Sequence, residues 1–174
     1  MENQEDVSQV ITSMFRDMFN IELNEQPGES EPALDFSGCV HVAGSINLVL
    51  TLDVNDALAQ RAAMALLETD QPLETADIPE AFAELINIIA GNLTGMMEDV
   101  QFTRPVVVHG GVMQVPNARR TMRGVFQDDA GGALAYGIFP GIARHSVDVE
   151  GNDSEAMVRL STIPPGDFVR DHLR

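Results

Sequence analysis

Glu84 and Asn87, three positions apart in "FAELINIIAGN", are the residues whose types and spacing best suit chemistry. On a helix this interval sets a carboxylate beside a carboxamide. The carboxylate can meet a cation. The amide can accept from one water hydrogen while donating elsewhere, and it adds no charge next to an anionic group. Two readings stand from the residues alone. One is a solvated helix surface, on which glutamate is ordinary. The other is a small docking and water-orienting device, favoured by Asn87, since asparagine forms helices weakly and competes for backbone bonds.

The segment "ETADIPEAFAELINIIAGNLTGMMED" must position the pair, and it predicts a helix from about Ile78 to Met97. Asp77 suits the N-cap, Pro79 the tolerant first turn, and Glu80 the return partner of a capping box. Helical stepping gathers Phe82, Leu85, Ile86, Ile89, Leu93 and Met96 on one side. Glu80, Glu84, Asn87, Gly91 and Thr94 fall on the other, with Ile88 beside them as a semi-exposed apolar contact. Gly91 and Gly95 each cost a helix roughly 0.5–1 kcal/mol relative to alanine. They call either for close packing against another backbone or for a smooth surface open to a partner.

Around this helix the chain alternates between both periods. Residues 6–20 place Val10, Ile11, Met14, Phe15 and Met18 at helical spacing, and "IELNEQPGESEPALD" reads as a loop. "FSGCVHVAG" and "SINLVLTLD" read as a hairpin, followed by a helix in "VNDALAQRAAMALLE" that Asp53 or Asn55 would cap. Strands are expected at 102–109, 121–127, 133–139, 146–149 and 156–161, with "QDDAGGA" as a tight turn. Strands, helices, then strands imply an α+β fold: two layers, with helices packed on a mostly antiparallel sheet.

Composition narrows the partners. The 174 residues suit one domain and carry a net charge of -17, from 27 acidic and ten basic residues, all arginine. Residues 1–100 hold 19 acids against two arginines, so nucleic acid and anionic membranes are disfavoured. Arg104, Arg119, Arg120 and Arg123 lie in an acid-free run, either as a solvated face or as a docking edge for an acidic protein. Cys39 is the lone cysteine, best read as a small buried hydrophobe in a strand. His41, His109, His145 and His172 lack zinc-like spacing. With no leader-like start and no long apolar run, the expected location is cytoplasmic.

"IPEAFAELINIIAGNLTGMM", with the preceding "VHVAGSINLVLTLDVNDALAQRAAMALL", resembles the CheC/CheX/FliY family of chemotaxis phosphatases, and within it the single-motif CheX form. The resemblance implies a phosphatase that hydrolyses the phosphoaspartate of a CheY-like response regulator. Asn87 would orient water, and Glu84 would dock to the regulator's active-site lysine. Glu80, Ile88 and Gly91 would border the partner. No cofactor would be bound by this chain, and Mg²⁺ would reside in the regulator. Glu80 stands at the motif's first position, an acidic variation, and His109 stands where the family's distant proline is expected, with Pro105 nearby. The resemblance implies a CheX-like domain over residues 31–163, an N-terminal helix and acidic loop over 1–30 packed on it or part of it, a tail over 164–174, and possible homodimers. A non-catalytic adaptor that binds a signalling protein is the alternative.

Overall fold

The computed structural model describes residues 4–27, 32–95, 99–113, 115 and 119–141, all within a compact unit spanning Met1–Ile142. The strands expected at 146–149 and 156–161, and the tail, lie outside the described residues.

Among the described residues, three helices and seven strands follow in the order α1 (Gln4–Phe19), β1 (Asn24–Glu25), β2 (Phe36–Gly44), β3 (Leu48–Val54), α2 (Asp56–Leu66), α3 (Ile78–Thr94), β4 (Val100–Phe102), β5 (Val106–His109), β6 (Met122–Gln127) and β7 (Ala133–Pro140). The sheet runs β1-β6-β7-β3-β2-β4, with β5 also paired to β2, and every pairing is antiparallel. The expected two-layer α+β arrangement is what the chain adopts.

Register explains the core. Phe36, Gly38 and Val40 of β2 oppose Val54, Leu52 and Leu50 of β3, which oppose Leu134, Tyr136 and Ile138 of β7. Because side chains alternate along a strand, these rows share one face. The helices pack on that face. Val7, Ile11 and Phe15 of α1, Leu58 of α2, and Ile86 and Ile89 of α3 are fully buried with them.

Asn55, rather than Asp53, caps α2. Its backbone is extended, and its side chain accepts from Leu58 N at 3.1 Å and Ala133 N at 3.0 Å, tying the helix start to β7. Asp53 lies inside β3. The expected turn joins β6 to β7, with Asp128 Oδ1 accepting from Ala130 N at 2.8 Å and Gly132 N at 2.7 Å. Gly131 takes the positive φ of 83° that this turn requires.

Three sequence expectations change. The single strand expected over 102–109 is two, β4 and β5, both on the edge of β2. Pro105 has no N–H for the ladder, and the break is filled by Thr103, which donates to His41 O at 2.9 Å and accepts from His41 N at 3.0 Å. The loop after α1 contains β1, which pairs with β6. The capping box does not form. Asp77 takes a helical backbone (φ -91°, ψ -22°) and makes no side-chain cap bond, whereas a capping side chain needs extended geometry to reach the first free amides.

Candidate functional site

The site is built on α3, and α3 is held by its buried face. Ile78, Ala81, Phe82, Leu85, Ile86, Ile89 and Ala90 point into the core. The Phe82 ring meets Phe36 of β2 edge-on at 6.3 Å. Gly38 of β2 leaves the space that the Ile86 side chain occupies, since a Cβ at position 38 would overlap its Cδ1.

Opposite this face, Glu80, Glu84 and Asn87 are exposed, and Ile88 and Gly91 are half-buried beside them. Asn87 Nδ2 donates to Glu84 Oε2 at 3.4 Å. That bond turns the amide oxygen away from Glu84 and leaves it able to accept from a water. Glu80 has no reciprocal capping role, so its carboxylate extends the acidic stripe toward the start of α3.

Two members of the expected stripe behave differently. Thr94 is buried, with its hydroxyl satisfied by Ala90 O at 2.9 Å. Gly91 does not pack against another backbone: beyond its own helical turns, no atom lies within 4 Å of where its Cβ would be. Its small size leaves the stripe open. Met96 lies outside the described residues.

The other sequence candidates do not converge on α3's stripe. His109 stacks on Phe36 at 4.4 Å, and its Nε2 lies 3.9 Å from Asp56 Oδ1. His41 Nε2 and Asn47 Oδ1 are 2.6 Å apart. Among the described residues no group of three His, Cys, Asp or Glu side chains could hold a metal ion, and no helix is long and apolar enough to cross a membrane. The acid-free arginine run makes no single docking edge. Arg104 follows β4 at one side of the sheet, whereas Arg119, Arg120 and Arg123 lie before and within β6, with β7, β3 and β2 between. Arg120 lies over the Phe139 ring at 5.7 Å.

A groove of about 470 Å³ between α1 and α3, lined in part by Val10, Met14, Met18 and Asn92, was not anticipated from the sequence. Met18 falls on the apolar stripe of α1 by spacing and yet is exposed, and the groove joins helices far apart in sequence, so no local pattern reports it.

The model of the family "Chemotaxis phosphatase CheX" matches residues 36–127. No curated protein matches the chain. Among solved structures, a chemotaxis protein CheX from Desulfovibrio desulfuricans is similar at 20% identity and a TM-score of 0.63, over 79% of this chain and 98% of that one. A CheX from Vibrio vulnificus is similar at 18% identity and a TM-score of 0.62, over 80% and 97%. In the CheX-CheY-BeF3-Mg²⁺ complex from Borrelia burgdorferi, the matching chain is similar at 23% identity and a TM-score of 0.60, over 79% and 96%. At these identities the structural likenesses show the fold.

Proposed function

The chain belongs to the CheX family of chemotaxis phosphatases, and on that premise we propose that it hydrolyses the phosphoaspartate of a CheY-like response regulator, using Asn87 and Glu84. The observation that carries this reading is the pair itself, adjacent on the exposed side of a helix whose other side is locked into the core.

An acyl phosphate is already activated, so the barrier falls most by fixing the nucleophile in line with the leaving carboxylate. Asn87 accepts a hydrogen from the attacking water through its amide oxygen. The water oxygen bonds to phosphorus as the bond to the aspartyl oxygen breaks. Inorganic phosphate leaves with the water's proton, and the regulator's aspartate returns as a carboxylate. A neutral amide suits this place because a carboxylate would repel the phosphoryl oxygens. Mg²⁺, which offsets phosphoryl charge, belongs to the regulator in this reading.

Glu84 pairs with the regulator's active-site lysine and so fixes the docked orientation. In the free chain it holds Asn87 through Nδ2, so one carboxylate both orients the amide and waits for the lysine. Glu80, Ile88 and Gly91 border the contact: an acid, an apolar side chain and a position without bulk. The test is to mix the protein with phosphorylated CheY-like regulator and follow phosphate release. Acceleration over spontaneous decay is expected. Binding without acceleration would establish an adaptor instead.

A further inference from the structure

A stable protein interface engages roughly 20–30 residues on each side. The five-residue stripe of α3 cannot supply that alone, so a regulator seated on Asn87 must rest on a neighbouring surface. The groove between α1 and α3 is lined by one face of α1 and by Asn92 of α3, on the flank of the stripe. Asn92 lines the groove, and its Nδ2 donates to the carbonyl of Ile88, the apolar residue flanking Glu84 and Asn87. Along α3, Asn92 lies about 7.5 Å beyond Asn87 and about 140° around the axis from it, on the flank of the stripe nearer Ile88.

Val10 and Met14 give the groove an apolar lining, and Met18 stands 49% exposed at its margin. Methionine adapts its shape to an incoming side chain. Asp6 and Asp17 also line it, while Glu80 and Glu84 stand on the adjoining stripe. No basic residue lies on α3. The two arginines of residues 1–100 are engaged locally, Arg16 with Asp17 and Arg61 with Asp128. With Asp17 paired to Arg16, the net negative charge of the combined surface comes from Asp6, Glu80 and Glu84 beside the apolar side chains of Val10, Met14 and Met18, which disfavours an anionic lipid surface and fits a protein segment bearing an apolar side chain flanked by lysine or arginine.

We propose that the α1–α3 groove is a specificity-determining extension of the docking surface, receiving an apolar side chain with basic neighbours from the phosphorylated regulator. The inference rests on the function proposed above. It assigns α1 a recognition role beside the chemistry on α3, with Val10, Met14, Met18 and Asn92 selecting the regulator.

The test is Met18→Glu in the full chain, with phosphorylated CheY-like regulator as substrate. KM is expected to rise about tenfold with kcat unchanged, the effect of one well-placed interface side chain. Met18→Ala should give a smaller rise in the same direction. Leu67→Glu, at another exposed apolar side chain outside the groove, should leave both constants unchanged. An unaltered KM in Met18→Glu, or an equal rise in Leu67→Glu, would overturn the proposal. The affinities of the wild type and of Met18→Glu for regulator carrying beryllofluoride and Mg²⁺ separate the two readings. If the wild type binds that regulator without hydrolysing phosphoaspartate, the phosphatase reading fails while weaker binding by Met18→Glu still supports the groove. If the wild type does not bind it, both fall.

Discussion

Ile86 of α3 lies directly over Gly38 of β2, in space that any larger residue would contest. Val106 O and Val107 Cγ2 each lie 3.2 Å from the same would-be Cβ, and Ile86 is fully buried, so neither neighbour yields easily. Gly38→Ala should therefore destabilise the fold by about 1–3 kcal/mol, read as a lower urea midpoint. Because α3 is lifted from the sheet, phosphatase turnover should fall as well. A compensating Ile86→Val should recover part of both.

Asn87 is exposed, so its removal should cost chemistry rather than folding. Asn87→Ala is expected to slow regulator dephosphorylation about a hundredfold, the scale of losing one positioned reactant. Its unfolding free energy should stay within about 0.5 kcal/mol of wild type. Equal phosphate-release rates for mutant and wild type would remove Asn87 from the mechanism.

Glu84 combines two roles that a pair of variants can separate. Glu84→Ala should weaken regulator binding and slow turnover together. Glu84→Gln keeps a side-chain oxygen able to accept from Asn87 Nδ2 but loses the charge that meets a lysine. It should raise KM while retaining more of kcat than Glu84→Ala does. A kcat no higher than that of Glu84→Ala would place the whole effect in charge pairing.

The layer arrangement and the two faces of α3 were legible because burial has a period, and periods survive in sequence. Leu50 and Leu52, alternating in one strand, are buried on the helix-covered face. The misread features depend on backbone choices that side-chain patterning does not encode. Asp77 carries the right side chain for a cap, but its helical backbone denies it the reach. Pro105 divides β4 from β5, yet both pieces pair with β2, and the missing N–H that breaks the ladder leaves the apolar pattern continuous across it. Spacing puts Thr94 on the polar stripe, and spacing carries no trace of the bond to Ala90 O that lets its hydroxyl be buried. The groove beside Asn92 joins helices distant in sequence, and no local window contains it.

Cys39 is held as a thiol. The residue is half-buried rather than buried as its strand position suggests, and this desolvation, with a smaller contribution from the nearby Asp53 carboxylate, pushes its pKa from 9.0 up to about 11. Near pH 8 the thiolate fraction, and with it alkylation by iodoacetamide, should be about a hundredfold below that of the same cysteine in urea-unfolded protein. Mass spectrometry of timed samples gives both rates, and near-equal values would show that the strand does not shelter the sulfur.

The β6–β7 turn is anchored to α2 through Arg61 and Asp128, whose side chains form an ion pair. Burial of Asp128 opposes its ionisation. The bonds from Arg61, Gly132 and Ala130 outweigh it and bring the carboxyl below its ordinary value of 3.8. A carboxyl depressed in the folded state contributes stability above its unfolded pKa, and that contribution is lost as pH falls through the folded pKa. Arg61→Ala should lower stability near pH 7 by about 1–2 kcal/mol: the Asp128 side chain is only 5% exposed, but two backbone amides still satisfy it. Denaturant curves across pH should show the gap between wild type and Arg61→Ala holding from neutrality to about pH 5 and narrowing below about pH 4. A gap that widened on acidification would mean that Arg61 acts through packing or another partner. Asp128→Asn should be destabilised at pH 7 as well, and should lose this acid-dependent step.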